Sequence, residues 1–291
     1  MNRYLNQLTT YFTEEVRGKG PFTLFGVLVY VWFLIHAISL FFSQSVLWGT
    51  EKIFYRHGYA DSVIENFFFQ LVYESGRSTY IYVLHIVCAL LSVVSFHPVF
   101  YTSKNSWSLA KLNIGAAGVR LVTWCSGLML FYAAIEAFDS GLLLMLLMAF
   151  YCSFAFVHTN NPYLKAITNA ARIACIIQVC VVYFTAALYK LGGTQWLDGS
   201  ALYYTLHITH YSSSWWQQFA ENNYFITQLF TWGGLAYQLL FPVLVWLGRI
   251  RKPLLVIGVL FHLFIGAVFG LWFFALAMVI CYVPFWLRQI R

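Results

Sequence analysis

A lysine follows a long apolar run in the second half of the chain. Residues 179–188 carry no charge, and Lys190 comes just after them, before a more polar segment that contains Trp196. A lysine in this position either extends its ammonium group to the lipid headgroups or takes part in chemistry. Partial removal from water favours the neutral amine, which can accept a proton. Lys190 is therefore the first candidate for a general base.

A histidine near the middle of a later apolar stretch is the second candidate. An imidazole at mid-membrane depth needs a polar partner inside the protein, so His262 is a functional candidate by default. His36 and His85 also lie in apolar stretches, where a hydrogen bond to a neighbouring helix is the simpler interpretation. His207 and His210 have i, i+3 spacing, but no third ligand stands near them in the sequence, and we predict no metal site.

Two further charged residues flank Lys190 in the sequence. Arg172 lies at the predicted cytoplasmic start of the same helix, where anchoring by the positive-inside rule is the stronger interpretation. Asp198 either caps the short helix that follows it or pairs with Lys190 and keeps the lysine charged. No phosphate-binding glycine loop, nucleophile elbow or metalloprotease motif occurs in the sequence.

The elements that must position these residues are membrane-spanning helices. Hydrophobic residues make up 61% of the chain and charged residues 9%, whereas charged residues are about a quarter of a soluble protein. We predict an all-α, polytopic transmembrane bundle of about eight helices, with seven or nine as alternatives, in a single domain over residues 1–291. The apolar stretches are 22–47, 78–96, 114–135, 141–157, 172–191, 225–247, 254–270 and 272–287.

The last two stretches have two interpretations. Residues 261–286 contain no polar loop, and Gly266 and Gly270 are the only marks of a break, so a re-entrant pair is the alternative to two crossings. The same glycines form a small-xxx-small face that would let a neighbouring backbone approach closely. The connecting segments 48–77 and 192–224 mix aromatic and charged residues, which predicts short helices at the outer interface.

The distribution of charge predicts the orientation. With the N-terminus inside, the outer segments carry only Lys52, Arg56, Arg77 and Lys190 of the 17 lysines and arginines, together with most of the acidic residues. This asymmetry predicts that both termini are cytoplasmic. Cytoplasmic anchoring also accounts for the net charge of +7, so we expect the lipid bilayer, and no nucleic acid, as a partner.

Several of these residues match a known pattern. Residues 183–191, Tyr-Phe-Thr-Ala-Ala-Leu-Tyr-Lys-Leu, and the later Trp196-Leu197-Asp198-Gly199 resemble the signature of the HTTM family. These are bacterial membrane proteins related to the vitamin K-dependent γ-glutamyl carboxylase. The pair Phe261-His262 is similar to a late segment of the family, and Arg172 matches an arginine at the head of the lysine helix.

The resemblance implies a role for each candidate. Lys190 would be the base that starts the reaction, with a reduced, vitamin K-like quinone as cofactor and His262 as a second catalytic residue. Arg172, Tyr183, Trp196 and Asp198 would support the substrate pocket. The resemblance also implies a bacterial inner membrane and a part in peptide maturation. The carboxylase has a histidine where this chain has residues 138–141, Phe-Asp-Ser-Gly, so glutamate carboxylation itself is not expected.

Two functions remain open at this point, and a third, a transporter, is less favoured because no inverted repeat or pair of interrupted helices is apparent in the sequence. In the first, the protein is an enzyme that acts on a quinol or a peptide at the outer face. In the second, it is a non-catalytic membrane subunit that scaffolds a secreted peptide or protein, or assists its maturation or export. The second function makes Lys190 an interfacial anchor and His262 a buried hydrogen-bonding group. An apolar cavity shared by Lys190 and His262 would favour the enzyme, and a tightly packed interior the scaffold.

Overall fold

The computed structural model describes residues 10, 12–13, 19–43, 47, 67, 77–101, 106–134 and 138–286. Within these ranges all regular structure is helical, which confirms the predicted all-α class. We number the α-helices in chain order: α1 Lys19–Ser39, α2 Ser78–Val94, α3 Ser106–Ala133, α4 Ser140–Ser153, α5 Pro162–Leu191, α6 Thr194–Leu197, α7 Ala201–Leu206, α8 Ser214–Asn222, α9 Tyr224–Leu244, α10 Gly248–Phe269 and α11 Trp272–Ile280. Short 3₁₀ segments are Phe41–Ser43, Pro98–Tyr101 and Val283–Trp286.

Four of the described helices are long and apolar enough to cross a membrane: α1, α5, α10 and the part Ser108–Ala133 of α3. Their composition indicates contact with a lipid bilayer. Helices α2, α4 and α11 are apolar but shorter than the roughly 20 residues of a full crossing. Helix α9, which contains Pro242, is not one of the four candidate crossings. A helix occurs in each of the eight predicted stretches, while the number of crossings stays a prediction.

The short helices agree with the prediction for one connecting segment. Residues 192–224 contain α6, α7 and α8, each of nine residues or fewer. The other segment, 48–77, lies almost wholly outside the described residues.

The start of α5 corrects the interpretation of Arg172. The helix begins at Pro162, well before the predicted boundary at 172, because Asn161 Oδ1 accepts the backbone N–H groups of Tyr163 and Leu164 at 2.9 and 3.3 Å. An asparagine cap followed by proline in the first turn is a common helix start. Arg172 therefore lies inside the helix and is only 2% exposed, so it is not an anchor at the helix start.

The chain divides into two compact units, Met1–Ala174 with Leu287–Arg291, and Cys175–Trp286. The division falls within α5, and the predicted single domain stays a prediction. In the first unit α1 to α4 pack together, and His85 Nδ1 lies 2.9 Å from Ser126 Oγ of α3. This interhelical hydrogen bond is the one predicted for His85. Arg120 is buried in α3, where its guanidinium donates to Ser95 Oγ and to the backbone oxygen of Ala155, both at 2.9 Å.

In the second unit, α10 and α11 pack against each other across a two-residue connection. A Cβ added at Gly266 would lie 2.9 Å from the ring of Trp272 and 3.1 Å from Ala275 Cβ, so this glycine permits close packing as predicted. Gly270 has a different role from the one predicted. Nothing lies within 4 Å of an added Cβ, and its φ of 71° shows that glycine is needed for the left-handed turn that ends α10.

Candidate functional site

Lys190 is held inside the second unit by two side chains. It lies in the last turn of α5, and its Nζ donates a 2.8 Å hydrogen bond to Gln238 Oε1 of α9. The same Nζ lies 4.9 Å from the centroid of the Trp196 ring of α6, within the range of a cation–π contact. These two contacts orient the amine towards α9 and α6.

Lys190 and His262 line the same cavity. Its volume is about 720 Å³, and its walls come from α5, α6, α7, α9, α10 and α11. Most of the lining is apolar, and the hydrogen-bonding groups are few: those of Lys190, Trp196, Thr205, Thr231, Tyr237, Gln238 and His262. A volume in this range with a few convergent polar groups is typical of a small-molecule site.

One side of the cavity is formed by exposed apolar residues. Phe230 of α9 and Leu260 of α10 line it, and they are 56% and 62% exposed. Leu229 and Ile257 have the same two properties. The cavity therefore borders the exposed surface of the protein between α9 and α10. If this surface faces lipid, an apolar molecule can enter from the bilayer without passing through water.

Trp196 also borders a second, smaller cavity of about 330 Å³. Gln195, Ala201, Tyr204 and Thr205 complete its lining, and Thr205, like Trp196, is shared with the larger cavity. Side chains of the segment between α5 and α8 thus stand between the two spaces.

His262 connects the larger cavity to a buried group of tyrosines. Its Nε2 lies 2.7 Å from Tyr183 Oη, and the Tyr183 hydroxyl is hydrogen-bonded to that of Tyr282. Tyr282 Oη lies 3.1 Å from Tyr237 Oη, which donates to the backbone oxygen of Leu254 at 3.2 Å. His262 is 2% exposed, and its Nδ1 has no hydrogen-bond partner among the described residues.

A glycine makes room for this group. A Cβ added at Gly258 of α10 would overlap the hydroxyl oxygens of both Tyr237 and Tyr282. The two hydroxyls can therefore meet only because residue 258 has no side chain.

Asp198 forms a local turn with Ser200, which is itself the N-cap residue of α7, so Asp198 is not the predicted helix cap. Its Oδ1 accepts the backbone N–H of Ser200 at 2.8 Å and the Ser200 hydroxyl at 2.6 Å. These two hydrogen bonds, with the hydroxyl bond the larger cause, lower the pKa of this exposed carboxyl group. No hydrogen bond or ion pair joins it to Lys190 in the described part of the chain. Gly199, with φ 85°, completes the turn after Trp196.

The predicted site residues thus fall into three groups. Lys190, Trp196 and His262 share the cavity wall, and Tyr183 contacts the wall through His262. Asp198 supports the segment that carries Trp196. Arg172 is buried in the first unit and is not among the cavity residues.

Three residues of the site were missed from the sequence. Gln238 could have been identified from the sequence, since an uncharged amide inside an apolar stretch needs a polar partner. Tyr237 and Tyr282 gave no such signal in a chain with 20 tyrosines.

Comparisons with protein families, with curated proteins and with solved structures found no match for this chain.

Proposed function

We propose that the protein is an integral membrane enzyme, related to the HTTM family, that acts on a lipid-soluble quinol at the outer face of a bacterial inner membrane. The observation that carries the proposal is the placement of Lys190 and His262 on one largely apolar cavity. Placing two ionisable side chains in an apolar wall costs free energy, and such residues mark functional sites in membrane proteins. A scaffold would be expected to fill this space with packed side chains.

The cavity fits a quinol by size, polarity and access. A volume of about 720 Å³ holds a bicyclic ring with part of an isoprenoid tail. The border between α9 and α10 gives an apolar route for the tail, and Lys190 and His262 offer polar contacts for ring oxygens. A bound quinol would supply an ionisable hydroxyl group.

In the proposed chemistry Lys190 accepts a proton. In its neutral form Nζ can donate one hydrogen to Gln238 Oε1 and still present its lone pair to the cavity. After it accepts a proton, the ammonium group keeps the bond to Gln238 and gains the attraction of the Trp196 ring. Gln238 and Trp196 therefore orient the amine in both states. The smaller cavity would admit a second substrate, such as a peptide side chain, from the outer side.

The alternative function is a non-catalytic subunit that assists the maturation or export of a secreted partner. It is favoured by the exposed aromatic residues of the short helices: Tyr204 of α7 is 59% exposed and Trp215 of α8 is 61% exposed. These side chains would contact a partner protein or the headgroup layer.

Lys190→Arg separates the two functions. Arginine keeps the charge and the length but stays protonated at any working pH. The protein is placed in lipid nanodiscs with menadiol, a naphthoquinol, and molecular oxygen. Oxygen would oxidise the deprotonated quinol to the quinone and be reduced to hydrogen peroxide, and the rate of oxygen consumption above that without protein is measured. The enzyme proposal expects normal insertion and a loss of at least about 100-fold in rate, as for removal of a general base. Lys165→Arg, on the same helix and away from the cavity, should keep the wild-type rate. An unchanged rate in Lys190→Arg, or no consumption by the wild type, would leave the subunit function.

A further inference from the structure

The hydrogen-bonded group behind the cavity has a fixed direction. Tyr237 Oη lies 3.2 Å from the backbone oxygen of Leu254. A carbonyl oxygen only accepts, so all the hydrogen bonds of the group can form at once only if Tyr237 gives its one hydroxyl proton to Leu254. Tyr237 has no second proton for Tyr282, 3.1 Å away, and must accept the proton of Tyr282 instead.

The same count of protons continues to the histidine. Tyr282 donates to Tyr237 and therefore accepts from Tyr183. Tyr183 donates to Tyr282 and therefore accepts from His262, whose Nε2 is 2.7 Å away. The ring proton of His262 must then be on Nε2. A neutral imidazole carries one proton, so Nδ1 is left with a lone pair and can only accept.

The neutral form of His262 is consistent with its surroundings. Among the residues that the structure describes, the cavity wall carries Lys190 and no carboxylate. A second positive charge there would meet repulsion from the lysine in an apolar medium, with no opposite charge to offset it.

Nδ1 is the ring nitrogen of His262 whose lone pair accepts no hydrogen bond from the described residues. It is buried, it has no hydrogen-bond partner among the described residues, and His262 is one of the residues that line the cavity. Because Nδ1 itself has almost no accessible surface, a neighbouring side chain must move for a ligand to reach it. A buried acceptor without a donor is unfavourable, and a ligand that supplies a donor removes this cost.

We infer that the cavity binds an apolar molecule with an O–H or N–H group, and that this group donates a hydrogen bond to His262 Nδ1. For the quinol of the proposed function, on whose cavity the inference rests, this selects the reduced, hydroxyl-bearing form over an oxidised quinone or an ether. Tyr183, Tyr282 and Tyr237 act as positioning residues, because they set which nitrogen of His262 carries the proton. The backbone of Leu254 fixes the direction of the whole chain of bonds.

The tautomer is measured without any ligand. The protein is labelled with ¹⁵N-histidine in nanodiscs, and the spectrum of His262→Gln identifies the His262 signals. The expected spectrum shows a protonated Nε2 and an unprotonated Nδ1. Tyr282→Phe removes the acceptor for the Tyr183 proton, so the His262 signals should move towards the opposite tautomer. Tyr189→Phe, an exposed tyrosine on the same helix as Tyr183, should leave them unchanged. A protonated Nδ1 in the wild type would overturn the inference.

The donor requirement is measured with two probes that differ only in their hydroxyl groups, menadiol and its dimethyl ether. Menadiol should bind at least about tenfold more tightly, as for one buried hydrogen bond. His262→Leu should remove most of this difference. Equal affinities for the wild type, or no binding of either probe, would overturn the inference. Lys190→Met should keep the tautomer of His262, because the tyrosines set it, so failure of the catalytic proposal is distinguished from failure of this one.

Discussion

Replacing Gly258 with alanine tests whether close approach of the two tyrosine hydroxyls stabilises the second unit. The added Cβ would overlap Tyr237 Oη and Tyr282 Oη, so both rings must move. Overpacking of this kind costs about 1–3 kcal/mol, and each of two disturbed hydrogen bonds adds about 0.6–1.7 kcal/mol in a membrane protein. The higher helix propensity of alanine offsets up to about 1 kcal/mol of this loss in stability. The expected net loss in the free energy of unfolding is about 3 kcal/mol.

The measurement is reversible unfolding in mixed micelles as the denaturing detergent is increased. Gly118→Ala is the matched control, because Gly118 lies inside α3 and nothing lies within 4 Å of an added Cβ. It should be neutral or slightly stabilising. If Gly258→Ala were as stable as Gly118→Ala, the tyrosine hydroxyls would not be held where the structure has them, and the direction assigned to the chain of bonds would lose its basis.

Two further predictions concern the lysine and the topology. Gln238→Glu places a carboxylate beside Lys190 and stabilises the charged amine, so acylation of Lys190 by an amine-reactive reagent should slow about tenfold or more. Mass spectrometry of the peptides gives the rate, with Lys165 as the internal control, and an unchanged rate at Lys190 would contradict the contact. Reporter fusions at residues 50, 105, 200 and 291 should indicate outside, inside, outside and inside. An outside signal at 291 would contradict an even number of crossings.

The apolar stretches predicted the helices well because length and hydropathy are local properties of the sequence. The main boundary error, at α5, arose because Lys165, Thr168 and Asn169 made the first turns of the helix look like a loop. The structure shows that Asn161 and Pro162 start the helix, so a capping signal was more informative there than hydropathy. Asp198 shows the same effect of local chemistry, since its carboxylate accepts two hydrogen bonds from Ser200, and among the described residues it has none from Lys190.

Lys190 and His262 could be selected from the sequence because each is rare in its setting. The pairing of these residues could not be predicted, since the contacts of Gln238 with Lys190 and of Tyr183 with His262 join helices that are distant in the chain. The need for glycine at 258 depends on two tyrosines from α9 and from the turn after α11. No periodicity or spacing within one helix contains that information.

For the proposed function, the arrangement of the two cavities has a consequence for the length of ligand that could bind. Trp196 and Thr205 border both spaces, and the Trp196 ring also contacts Lys190 Nζ. Side chains change rotamer on a far shorter timescale than helices move. A rotation of the indole would join the spaces and break its contact with Lys190 in the same movement. The protein would then accept longer molecules only in the state in which its lysine is less firmly held.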